Sequence, residues 1–241
     1  MTRLLLPLLA CLNLAAAPAG NAGGIFGPAS ANGGSFGVPM QIVLMLAALT
    51  LLPAFVMSVT PFLRIVLVLH FLRQALGTQT APSNQVLVGL SLFLTVLLMQ
   101  PVIGQVQQQA WTPMQNGEIG IAEAAERAAV PLRSFLLKYA REKDTALMLE
   151  LAKAPAPRSP ADLELKVLIP AYVLSELKTG FQIGAVVFLP FLVIDLVVAS
   201  VTLAIGMVQL PPVMLSAPFK VLLFVLVDGW NLVVGSLVKS F

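Results

Sequence analysis

The residues able to do chemistry are few, and they stand in unusual places. The chain of 241 residues has one histidine, His70, and one cysteine, Cys11. That leaves little material for a zinc site or for a nucleophile paired with an imidazole base. A phosphate-cradling glycine loop, a dinucleotide fingerprint and an HExxH helix are missing from the sequence. What remains is a set of ionisable residues inside apolar runs: Asp195 in one, Lys220 and Asp228 in the next. A charge facing lipid costs about 3 kcal/mol on insertion scales. Each of these groups is therefore expected to face protein or water.

Their spacing is helical. Lys220, Phe224, Asp228, Asn231 and Gly235 recur at intervals of four, four, three and four, which places them on one face of a continuous helix. Gly184, Phe188, Phe191, Asp195, Ala199, Thr202 and Gly206 form a second stripe, and Gly180 with Gly184 makes a small-xxx-small pair of the kind that brings helices close in lipid. Two uses stay open for these faces: packing within one subunit, or pairing between subunits around a passage. A third use, a catalytic pair made of Asp195 and Asp228, has no recognised motif around it. His70 and Arg73, three residues apart, fit an interfacial helix better than a lipid headgroup site.

The elements that must hold these residues are membrane elements. Hydrophobic residues make up 58% of the chain and charged residues 10%, outside the soluble range. No charged residue lies between Arg3 and Arg64, or between Arg73 and Glu118. Each gap exceeds the ~20 residues of a spanning helix. Residues 1–19 read as a signal peptide, with Arg3 before a short apolar core and Ala17-Pro18-Ala19 at the cleavage position. Cys11 falls inside it and says nothing about redox compartment. Residues 20–37, rich in Gly, Ser, Ala and Asn, read as a flexible extracytoplasmic lead-in.

Residues 38–106 form a first membrane-associated helical region. It comprises a span over 38–59 kinked at Pro53, an interfacial or re-entrant helix over 62–76 holding Arg64, His70 and Arg73, and a span over 86–106. Residues 107–182 carry evenly matched acidic and basic residues and read as an extracytoplasmic helical domain. Residues 183–241 read as a helical hairpin turned at Pro211-Pro212, with Met207, Val208 and Gln209 at its tip. The fold class is thus all-α and polytopic. The new N-terminus after cleavage lies outside, so the loop with Arg64 and Arg73 lies inside, in accord with the positive-inside rule. Scattered basic residues without interleaved aromatics give no nucleic-acid partner, and no cofactor or metal is implied.

The run PAFVMSVTPFLRIVLVLHFLRQALGTQTAPSNQVLVGLSLFLTVLLMQP closely resembles the FliP family, the flagellar members of the type III secretion export-gate proteins. PAYVLSELKTGFQIGAVVFLPFLVIDLVVASVTLAIGM and LPPVMLSAPFKVLLFVLVDGWNLVVGSL match it too, and FLRQALGTQ and PFKVLLFVLVDGW are specific phrases. The resemblance implies a non-enzymatic subunit of the inner membrane and flagellar basal body. It implies about five copies joined by FliR-like and FliQ-like proteins, working with FlhA-like and FlhB-like export components to pass unfolded flagellar proteins. It also implies that Glu176 and Lys220 pair across a subunit interface, and that the tip at Met207, Val208 and Gln209 belongs to a loop gasket. Members of the family often have several methionines there, whereas this tip has one. The rival readings are the matching subunit of a virulence injectisome, a small-solute channel and an intramembrane enzyme.

Overall fold

The structure is a computed structural model that describes residues 38–78, 80–153, 157, 159, 162–207 and 211–241. The expected signal peptide and lead-in, and Val208 and Gln209 of the hairpin tip, lie outside the described residues. Among those described, every regular element is a helix, as the composition and periodicity led one to expect. The chain divides into two compact units, 1–52 and 53–241.

Helix α1, Val38–Val59, carries Pro53 inside it, and the division between the units falls at that proline. Its 42–59 stretch is long and apolar enough to cross a bilayer.

The second unit is built around α2, Phe62–Ala75. Where the sequence reads as an interfacial or re-entrant helix, α2 is packed at the centre of this unit. Ile65, Val68, Leu69 and Leu72 are fully buried. Phe62-Leu63-Arg64-Ile65-Val66-Leu67-Val68-Leu69 is apolar around most of its circumference, and such a helix is buried by its neighbours. Its two arginines find partners on other elements, so neither one stands free as a loop charge. The positive-inside argument loses Arg64 accordingly.

Helix α3, Asn84–Val106, runs through a π-helical turn at Gln107–Trp111 into a short α4, Thr112–Gln115. Together they give a second stretch apolar enough to span. Two amphipathic helices follow, α5 at Ile121–Tyr139 and α6 at Glu142–Leu151. Leu136 of α5 packs with Leu168 and Tyr172 in a satellite core.

Helix α7 is continuous from Leu165 to Ala204, 40 residues through Pro170 and Pro190. At 1.5 Å per residue it is about 60 Å long, twice the hydrocarbon thickness of about 30 Å. The limit drawn at residue 182 from sequence falls inside it. One continuous helix therefore joins the charged helices α5 and α6 at one end to the apolar hairpin at the other.

The last apolar run, the second arm of the expected hairpin, is a bent pair: helix α8, Pro212–Leu226, and α9, Gly229–Lys239. They meet at a bend of 68°. Asp228 takes the left-handed conformation, φ 50° and ψ 52°, which ends α8. Gly229 then lets the backbone press on Phe224: a Cβ there would lie 2.2 Å from the ring. The bend splits the expected stripe, leaving Lys220 and Phe224 on α8 and Asn231 and Gly235 on α9.

Candidate functional site

The buried charged side chains among the described residues, Arg64, Asp144, Glu176 and Lys220, fall into three clusters, each made where helices cross. The first surrounds Arg64, 3% exposed, and Glu176, fully buried. The Arg64 guanidinium grips the carboxylate from two nitrogens, Nε donating to Oε2 at 2.8 Å and Nη2 to Oε1. Nη1 donates to the main-chain oxygen of Ser240 at 3.0 Å and to its hydroxyl at 3.2 Å. The Phe241 ring lies flat on the other side, its centroid 3.8 Å from Arg64 Cζ. Such a fork–fork pair adds geometric specificity to its charge.

The approach of α2 to α7 that makes this pair is set by glycines. A Cβ at Gly184 would sit 2.4 Å from the Phe71 ring, and one at Gly180 would sit 2.8 Å from Leu67. Phe71 meets Phe181 edge-on at 5.3 Å. The small-xxx-small pair read from sequence thus packs α7 against α2 of the same chain.

The second cluster ties α7 to α8. Lys220, 2% exposed, donates from Nζ to Asp195 Oδ2 at 2.6 Å, and the Ser216 hydroxyl donates to the other carboxylate oxygen. A Cβ at Gly77, whose φ is +72°, would lie 4.0 Å from the same ammonium. Glu176 and Lys220, which the resemblance paired with each other across an interface, each have a partner within this chain: Arg64 for one and Asp195 for the other. Asp228, by contrast, is exposed and accepts a hydrogen bond from Asn231 at 3.2 Å. Asp195 and Asp228 thus have separate partners.

The third cluster docks the charged helices on α7. Ser175 donates to Asp144 Oδ2 at 2.6 Å and accepts from the Arg141 backbone N–H at 2.9 Å. Arg141 Nε donates to the same carboxylate at 2.8 Å. Burial raises the Asp144 carboxyl, but the Ser175 hydrogen bond and the Arg141 hydrogen bond and charge, with Lys178 nearby, hold it below its ordinary value of 3.8.

His70 and Arg73 have local duties. Nδ1 of His70 lies 2.8 Å from the Val66 carbonyl, and Arg73 donates to Asn84 Oδ1 at 2.5 Å across the α2–α3 turn. Met207, at the described edge of the tip, is exposed. Below it an apolar groove of about 550 Å³ is lined by Val197, Val201, Leu215 and Phe219 among others. Sequence reasoning missed Ser216, Ser240, Phe241 and the Asp144–Ser175 contact. None has a local signal, because each acquires its role from a residue 21 or more positions away. Among the described residues there is no grouping of His, Cys, Asp and Glu fit to hold a metal ion.

The pattern that describes the FliP family matches residues 45–237, which contain Arg64, Glu176, Asp195 and Lys220. The chain belongs to the FliP family. The flagellar biosynthetic protein FliP of Pectobacterium carotovorum subsp. carotovorum is 52% identical over 87% of this chain and 82% of its own. That of Bacillus subtilis is 48% identical over 84% and 91%. That of Cereibacter sphaeroides is 47% identical over 87% and 69%. The all-helical, span-bearing architecture is what FliP membership led one to expect.

Proposed function

We propose that this chain is a core subunit of the flagellar type III export gate. About five copies join FliQ-like and FliR-like proteins in the inner membrane at the flagellar basal body, and unfolded flagellar proteins pass through the assembly. FlhA-like and FlhB-like components engage it. The observation that carries the reading is the contrast along α7 and α8. Leu189, Leu192, Leu196, Phe219, Leu222 and Leu226 are exposed, whereas Asp195 and Lys220 are turned toward each other. Such a surface is solvated by lipid or by other helices. The names of the relatives, flagellar biosynthetic proteins, favour the flagellar gate over its injectisome counterpart.

In this reading the mechanism is mechanical. Paired charges and close glycine contacts keep the subunit rigid, and the tip around Met207, Val208 and Gln209 seals against neighbouring tips until cargo engages. The test is the mass of the particle that co-purifies in mild detergent when the chain is co-expressed with FliQ-like and FliR-like partners. A particle with about five copies plus both partners is expected. A monomer or a bare homodimer that ignores them would overturn the proposal.

A further inference from the structure

Three features converge on α9. The first is its start, an elbow without proline: Asp228 holds a left-handed conformation that aspartate adopts more readily than most residues but at a cost relative to a helix. Gly229 admits the Phe224 ring at the elbow and Trp230 meets that ring edge-on at 5.5 Å, so the elbow has local contacts of its own beside what holds α9 at its far end.

The second is its end. Ser240 gives Arg64 two acceptors, Phe241 stacks on the same guanidinium, and the main-chain oxygen of Phe241 accepts from Tyr139 Oη and, at 3.3 Å, from Lys138 Nζ. The Phe241 ring also meets Tyr139 edge-on at 5.4 Å. Contacts from α2 and α5 thus converge on two residues. The third is what lies between. Of the 11 residues of α9 only Gly229 and Leu237 are buried, with Val233, Val234 and Val238 partly buried against the core. Elements with so few buried side chains open at low free energy.

We propose that α9 is a latched arm: Phe241, stacked on Arg64 and hydrogen-bonded from Tyr139 and Lys138, holds it bent over the buried Arg64–Glu176 pair. When that latch lets go, the arm pivots at Asp228 and uncovers the pair. The pivot needs no change in α2 or α7, whose contact is set by Gly180 and Gly184. This device belongs to the chain itself and stands whether or not the export-gate reading holds.

The experiment is a distance measurement by paired spin labels on the full chain in lipid nanodiscs, with Cys11→Ser as background. One label pair, at Ser134 and Lys239, spans the latch, and both positions are exposed. A reference pair, at Ser134 and Lys178, joins α5 to α7 and does not involve α9. Phe241→Ala removes a cation–π contact at a largely desolvated guanidinium, and the population of a second Ser134–Lys239 distance is expected to rise about tenfold. The reference distance stays single. Asp228→Val, poorly suited to positive φ, is expected to raise the same second population, and Asp228→Asn is not. An unchanged distance in Phe241→Ala overturns the proposal. So does a broadening of both pairs together, which would mean general loosening, or an Asp228→Asn effect equal to that of valine.

Discussion

Glu176→Leu is the sharpest perturbation of the Arg64 cluster. Glu176 is fully buried and Arg64 is 3% exposed, so neither charge has water to fall back on. With the carboxylate gone, Nε and Nη2 lose their acceptors, while Nη1 keeps those on Ser240. Breaking one side of a buried pair costs about 3–5 kcal/mol, most of it the desolvated charge left behind. Replacing both partners, Arg64→Met with Glu176→Leu, removes that orphan charge. The double variant is expected to recover at least about half of the single loss, since apolar replacements of buried pairs are often near neutral. The Ser240 and Phe241 contacts are not recovered. The assay is reversible unfolding of the purified chain in mixed detergent micelles, with helix content and tryptophan fluorescence followed through the transition. A Glu176→Leu loss below about 1 kcal/mol, or a double variant as unstable as the sum of the two singles, would refute the argument from burial.

The second cluster is asymmetric. Asp195→Ala strands a lysine that is 2% exposed, whereas Lys220→Met leaves a part-exposed aspartate that keeps Ser216; unfolding should show the aspartate change costing about 3–5 kcal/mol and the lysine change distinctly less. At the α2–α7 crossing, Gly184→Ala should lose about 1–3 kcal/mol, because Phe71 blocks the new methyl. Gly104→Ala, which meets nothing within 4 Å on α3, should be neutral or slightly stabilising by the same measurement. Asp144 supplies a pH test. Its carboxyl is held below 3.8 in the fold, so its contribution is fully present above that value and is lost as pH falls through the lower folded-state value. Ser175→Ala should weaken the chain by about 1.5–3 kcal/mol at neutral pH. The gap from wild type should close only at pH below 3.8, and a gap that closes near neutrality would show that another group is responsible.

The readable part of this protein was its periodicity and its solvent. Long charge-free runs announced helices suited to lipid, and α1 and α3 are those helices; α7 is apolar enough as well, with Asp195 inside its run. The Gly180–Gly184 pair announced a close crossing, and the structure supplies one. Two features of the fold are not legible locally for the same reason. The segment over 62–76 reads as interfacial or re-entrant because it is short and holds Arg64 and Arg73, whereas their partners, Glu176 and Asn84, lie 112 and 11 residues away. The run over 213–238 reads as one span because its polar residues keep helical spacing, and together its two helices are still apolar enough to cross a membrane, but the bend of 68° between them leaves no trace in that spacing.

Sequence alone determines the class of fold, the stretches that seek an apolar surrounding and the family, since these depend on local composition and on phrases such as FLRQALGTQ. Pairing is decided only in three dimensions. Whether Glu176 meets Arg64 or Lys220, and whether Phe241 caps the guanidinium, depends on helix crossings that bring distant residues within 4 Å. A buried charge is satisfied by whichever counter-charge the packing delivers, and no local pattern records that delivery.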